Sequence, residues 1–151
     1  MTRRRLVVGL AGVAAAAQEP AAKPEAIHEE LEFPVAPHRI YEALLDSKQF
    51  SAFSGVPAEI NREAGGAFSL FGGQITGRNV ELIPDRRIVQ AWRPASWPEG
   101  VYSIARFELQ AQGAGTRMVF DHTGFPPRLR EHLASGWQEH YFGPLKKTFA
   151  Q

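Results

Sequence analysis

Cysteine is absent from the 151-residue chain. That excludes disulfides, thiolate catalysis and cysteine-based metal centres. An excess of positive charge is missing too, since 17 Lys and Arg face 16 Asp and Glu. Three of the arginines are Arg3, Arg4 and Arg5, so the rest of the chain carries 14 basic against 16 acidic side chains. No basic patch with interleaved aromatics occurs, which argues against nucleic acid as a partner. Metal chemistry lacks its signatures as well. His28, His38, His132 and His140 fall at no ligand-like spacing, and neither an HExxH nor a facial-triad pattern is present. No nucleophile has an assignable base. The expectation is a non-enzymatic protein with no cofactor and no metal, and about 130 residues are enough for one domain with a sizeable core.

A membrane-spanning segment is also lacking. The apolar run Leu6–Ala17 is about 12 residues, too short to cross a hydrocarbon core of about 30 Å as a helix, so no stable membrane anchor is expected. The run follows Thr2-Arg3-Arg4-Arg5 and ends in Ala15-Ala16-Ala17 before Gln18, the order of charged, apolar and small-residue regions in a secretory signal. Paired arginines ahead of Leu6 resemble a twin-arginine export signal, although the Phe that follows the pair in its fullest form is missing. Residues 1–17 are therefore read as a signal peptide. Residues 18–25 read as a Pro/Ala linker, because Pro20 and Pro24 disfavour helix and strand alike. Residues 26–151 are read as one domain. If the signal is used the protein is exported or periplasmic; otherwise it is cytoplasmic.

What the domain does have is regular punctuation. Gly65-Gly66 and Gly72-Gly73 mark tight turns, as do Pro84-Asp85 and Trp97-Pro98-Glu99-Gly100. Strand-like runs lie between them at Ala67–Leu70, Gln74–Ile83 and Arg87–Trp92. Upstream, Ile27, Leu31 and Phe33 share one strand face, with His28, Glu30 and Glu32 on the other. Pro37 opens a helix that carries Ile40, Tyr41, Leu44 and Leu45, and a second helical turn at about Ser47–Phe53 turns Phe50 and Phe53 inward. Pro57–Glu63 reads as a further strand. Downstream, Val101, Ser103, Ala105, Phe107 and Leu109 alternate along one face, Gly113-Ala114-Gly115 turns the chain, and Met118, Phe120 and His122 share a face of Thr116–Thr123.

Leu129, Leu133, Trp137, Tyr141, Leu145 and Phe149 then recur at every fourth residue of a long helix from Arg128. Gly136 is placed to let that helix approach the sheet. Pro144 withdraws the hydrogen bond to the His140 carbonyl, which predicts a kink or a break. The order of elements predicts an α+β domain: a curved antiparallel sheet wrapped around a long C-terminal helix, with two short helices after the first strand.

From Ile27 to Phe149 the sequence resembles the C-terminal domain of the activator of heat-shock protein 90 ATPase (Aha-type), within the START-like (SRPBCC) superfamily. The residues that carry the resemblance include Gly65-Gly66-Ala67-Phe68, Gly72-Gly73-Gln74-Ile75-Thr76-Gly77, the ELIP segment Glu81–Pro84, IVQAWR at Ile88–Arg93 and Trp97-Pro98-Glu99-Gly100. Gly115-Thr116-Arg117, Gly136-Trp137 and Tyr141-Phe142 extend it to the C-terminal part. The resemblance implies a helix-grip fold in which sheet and C-terminal helix enclose a cavity. Function stays open, since the superfamily serves lipid binding, hormone binding, cyclisation and co-chaperone roles on one scaffold.

The candidate ligand cavity consists of Phe68, Trp92, Ser103, Ala105, Phe107, Phe120, His122, Trp137 and Tyr141. Its aromatics, with Phe71, either line a pocket or simply form core. Ser103 and Ala105 leave volume that a ligand fills, or else Trp137 and Tyr141 do. His122 either points a polar group into the cavity or is a hydrogen-bonded core histidine. His132 and His140, eight apart on one helix, either stand near a common ligand or are surface or cap residues. Glu59 and Glu63, if on one strand face, stand about 13 Å apart, beyond the separation of about 5–9.5 Å used by paired catalytic carboxylates. Asp121 is expected to pair with Arg117 or Arg106 at the surface.

The expected function is non-enzymatic binding of a small apolar ligand, such as a lipid, between sheet and helix. The alternative is a co-chaperone-like interaction domain that contacts a chaperone through its outer face. Against that alternative, the activator's separate N-terminal domain has no counterpart here, and export would remove the protein from a cytoplasmic chaperone. An enzyme working by confinement would have only His122 and Tyr141 as acid or base.

Overall fold

The computed structural model describes residues 25–150, so the expected signal peptide lies outside the described residues, as does all of the linker except Glu25. Seven strands form one antiparallel sheet in the order β1-β7-β6-β5-β4-β3-β2. They are β1 (Ala26–Phe33), β2 (Glu59–Ile60), β3 (Ala67–Leu70), β4 (Ile75–Ile83), β5 (Arg87–Pro94), β6 (Ser103–Gln112) and β7 (Gly115–Thr123). From β2 to β7 every strand pairs with its sequence neighbour, whereas β1 joins the opposite edge beside β7. The chain must therefore cross the sheet between β1 and β2. Helices α1 (Pro37–Leu45) and α2 (Ser47–Ser54) make that crossing. Asp46 is the joint between them: it ends α1, and its carboxylate accepts the Gln49 N–H at 2.9 Å to cap α2.

The alternation read from the sequence sets the inner face. Ile27, Leu31 and Phe33 of β1, Ser103, Ala105, Phe107 and Leu109 of β6, and Met118, Phe120 and His122 of β7 are all buried. Over this face runs the C-terminal helix, built of α3 (Arg130–Gly136), a π-helical turn (Trp137–Phe142) and α4 (Gly143–Thr148). A four-residue repeat gains about 40° per step on an α-helix, so its stripe would wind away from the sheet. The wider π turn counters the drift, and Leu133, Trp137, Tyr141, Leu145 and Phe149 are all buried.

The same turn replaces the break expected at Pro144. Gly143 N–H reaches back five residues to the Gln138 carbonyl, and Pro144 falls in the first turn of α4, where a missing N–H costs least.

Three other expectations are corrected. The strand expected over Pro57–Glu63 shrinks to Glu59–Ile60. Side chains of α2 hold the approach to it: Ser51 Oγ accepts the Ala58 N–H and Ser47 Oγ the Ile60 N–H, each at 2.9 Å. Glu59 and Glu63 thus do not share a strand face. Asp121 pairs with neither arginine but with His28 Nδ1, at 2.6 Å, because His28 is its direct partner in the β1–β7 register. Arg117 goes to Glu30 and Arg106 to Glu108.

Nor is Gly136 a point of close approach, since a Cβ there would meet nothing within 4 Å. Close approach falls on Gly77 of β4, where a Cβ would overlap the Ala91 carbonyl oxygen and lie 2.6 Å from the Phe68 ring. Among the described residues no helix is long and apolar enough to cross a membrane. Gly77→Ala should therefore lower the unfolding free energy by about 2–3 kcal/mol in urea titration, the cost of overpacking between two paired strands. An unchanged midpoint would show that the sheet relaxes freely there.

Candidate functional site

Between sheet and helix the polar groups form a closed relay. Trp137 Nε1–H donates to His122 Nδ1 at 2.9 Å. An indole nitrogen only donates, so Nδ1 must be the bare nitrogen of the imidazole and Nε2 must carry the hydrogen. That hydrogen goes to Ser103 Oγ at 2.6 Å, and Ser103 passes its own to the Trp92 carbonyl at 3.1 Å. Four side chains or backbone groups from the helix, β7, β6 and β5 are thereby joined. Burial with no neighbouring charge to offset it pushes His122 down to about 4, so the ring stays neutral. With both nitrogens committed, His122 is a hydrogen-bonded core histidine and has no lone pair to offer a substrate.

Around this relay the interior is filled. The Trp137 indole sits 4.2–5.9 Å, centroid to centroid, from the rings of Trp92, Phe107, Phe120, His122, Tyr141 and Phe142. Ala105 stands directly across from His122 in the β6–β7 register. Of the candidate cavity residues, Phe68, Ser103, Ala105, Phe107, Phe120 and His122 lie within this packed layer, each at most 3 % exposed.

Trp92, Trp137 and Tyr141 have a second side. They floor a groove of about 710 Å³ that opens between the helix, the Phe71–Ile75 turn and the end of β5. Phe71 enters that turn with φ of 53°, and the two glycines after it also have positive φ. This unusual backbone swings the Phe71 ring to 5.3 Å from Tyr141 and 5.9 Å from His140. Val56, Ile75 and Leu133 add apolar surface, while Gln74, Ser96, His132, Ser135, Glu139 and His140 bring polar groups. At the floor, Trp92 Nε1–H donates to the Tyr141 hydroxyl oxygen at 3.2 Å, and burial holds the Tyr141 phenol well above the usual tyrosine range.

Sequence reasoning named Phe71 among the aromatics that could line a pocket but missed Gln74, Ile75 and Pro94–Ser96 as wall, because positive φ at a phenylalanine leaves no trace in the pattern. His132, Gly136 and His140 did carry a signal, spaced by four along one helix face beside Leu133, Trp137 and Tyr141.

A second recess, of about 470 Å³, lies among α1, the Arg62–Ala64 loop and the β4–β5 turn. Four of its polar side chains pair with one another, His38 with Asp85 at 2.9 Å and Arg62 with Glu42 at 2.5 and 2.8 Å. Among the described residues no three His, Asp or Glu side chains converge as a metal site.

Because His122 holds its proton less tightly when folded, the unfolded chain takes up that proton first. Stability from this group is thus intact above about pH 6.5 and is lost as pH falls towards about 4, by up to about 3 kcal/mol. His28, raised mainly by its hydrogen bond to Asp121, acts in the opposite direction but is exposed. Comparing denaturant titrations of the protein and a His122→Leu variant between pH 7 and 4 isolates the His122 contribution, and parallel pH dependence would refute it.

Residues 34–150 match the family described as activator of Hsp90 ATPase homolog 1-like protein. The chain is 30 % identical over 117 residues to the human activator of 90 kDa heat shock protein ATPase homolog 1, covering 78 % of this chain and 35 % of that protein. Its identity to the corresponding Dictyostelium discoideum activator is 32 % over 120 residues, covering 79 % and 31 % respectively. The chain thus spans about a third of the length of these curated relatives.

Among solved structures, an HSP90 activator from Plasmodium falciparum superposes with a TM-score of 0.78 at 25 % identity, over 82 % of this chain and 94 % of that one. The Aha1 dimer from Colwellia psychrerythraea, at 18 % identity and a TM-score of 0.71 over 83 % and 96 %, shares the fold. The α+β architecture expected from the sequence is the one these proteins have in common. By the match over residues 34–150, the chain belongs to the activator of Hsp90 ATPase homolog 1-like family.

Proposed function

We propose that this domain is a non-enzymatic binding module whose groove holds a small apolar molecule. The observation that carries the reading is the groove itself, about 710 Å³ with Trp92, Trp137 and Tyr141 as its floor. Small-molecule sites occupy about 300–1,000 Å³ and combine apolar walls with a few polar groups, which is the composition here. The ligand would lie beside the C-terminal helix and not beneath it, because Trp137 occupies the space below.

Gly136 supplies the test. It lies at helical φ of −62°, lines the groove, and a Cβ there would point into open space. A neutral naphthalene fluorophore should bind the full chain saturably and quench its tryptophan emission. Gly136→Phe should keep or raise stability, since glycine is a poor helix former, while binding falls by about tenfold or more. Undiminished binding by that variant would remove the groove as the site.

A second reading is favoured by the relatives, since the human and Dictyostelium proteins are named as activators of the 90 kDa heat shock protein ATPase. In this reading the outer face of the domain contacts a chaperone. An ATPase rate of purified chaperone that rises on adding the chain, and rises equally with Gly136→Phe, would support it over the first. Use of residues 1–17 for export belongs to the binding proposal. N-terminal sequencing of the mature chain should then begin at Gln18, and a start at Met1 or Thr2 would remove export from it.

A further inference from the structure

We infer that the groove's ligand is a neutral apolar carbonyl compound whose oxygen accepts a hydrogen bond from the Tyr141 hydroxyl. This deepens the reading of the groove as a ligand site and rests on it. Tyr141 is 3 % exposed, and its oxygen accepts the Trp92 indole hydrogen at 3.2 Å. The oxygen is thereby satisfied as an acceptor, but a phenol also donates. Its own proton has no acceptor among the described residues. Both members of the Trp92–Tyr141 bond line the groove, so the bond that leaves the donor unplaced joins two groove-lining side chains. A buried donor without a partner is uncommon, because leaving it unmade costs its full desolvation. Burial also keeps the phenol protonated throughout the neutral range, so it presents a donor and never a phenolate.

The lining residues narrow the acceptor. No Lys or Arg borders the groove, and the Glu139 carboxylate stands at it, so a carboxylate or phosphate would enter without a fixed counter-charge. An alcohol would bring a second proton that has to reach one of the polar side chains on the lining, such as Gln74 or Glu139. A ketone, aldehyde or ester oxygen takes the Tyr141 proton and donates nothing. Its apolar body would lie against aromatic rings already arranged for such contact, with Phe71 edge-on to Tyr141 at 5.3 Å and Trp92 stacked on Trp137 at 5.2 Å.

A matched pair of probes tests this on the full chain: acetonaphthone, which carries the carbonyl, and ethylnaphthalene, which has the same shape without it. Acetonaphthone should bind roughly three- to tenfold more tightly, the worth of one hydrogen bond. Its isotope-labelled carbonyl stretch should move to lower frequency on binding, a readout that needs no variant. Tyr141→Phe, with its fold checked by circular dichroism, should bring the two affinities together and abolish the shift. Equal affinities with no carbonyl shift would overturn the inference while leaving the groove as an apolar site. Failure of both probes to bind would overturn the groove reading and this inference with it.

Discussion

The hydrogen bond from the Trp137 indole to the His122 imidazole fixes how the C-terminal helix sits on the sheet, and most other features follow from that seating. Its energy is small beside the packing it orients. A buried tryptophan removes about 150–250 Å² from water, worth at most about 4–6 kcal/mol, whereas one hydrogen bond nets about 1 kcal/mol. Burial supplies the stability and the bond supplies the orientation. Because an indole cannot accept, the bond also dictates the His122 tautomer, which dictates the bond to Ser103. One donor-only group thus sets the direction of a relay running from the helix to β5.

The seating of Trp137 explains why open space lies at the side of the helix. A sheet curved around a helix encloses volume, and the small Ser103 and Ala105 enlarge it locally. Trp137, surrounded by six other rings, takes that volume up. What remains is the gap between the helix edge, the Phe71–Ile75 turn and the end of β5. The π-helical turn runs through this edge. It keeps the apolar stripe on the sheet while placing Glu139 and His140 beside the groove. Extra-wide turns of this kind are rare and cluster at functional positions, which agrees with the groove proposed as a ligand site.

Much of the fold was legible in the chain. Alternation along Ser103–Leu109 and Thr116–His122 marked the inward faces, and the four-residue repeat from Leu129 to Phe149 marked the helix stripe. Such patterns survive in sequence because each depends on one periodic element facing one side. The short β2 was not legible, since the Ala58 and Ile60 N–H groups on its open edge are satisfied by Ser51 and Ser47 of a preceding helix, a partnership no local pattern announces. The site was legible only in part. Trp92, Trp137 and Tyr141 could be picked out as large aromatics on inward faces, but nothing local separates a residue that borders open space from one that is covered.

By itself, the sequence determined the order of elements, the inward face of each and the family, because periodicity, turn glycines and spaced motifs act over a few residues at a time. Tertiary structure alone decided that Trp137 would fill the interior and His122 would be locked as its acceptor. It alone placed the groove beside the helix. Those outcomes depend on how far side chains reach across from separate elements and which volume they claim first, and no single stretch of chain encodes that competition.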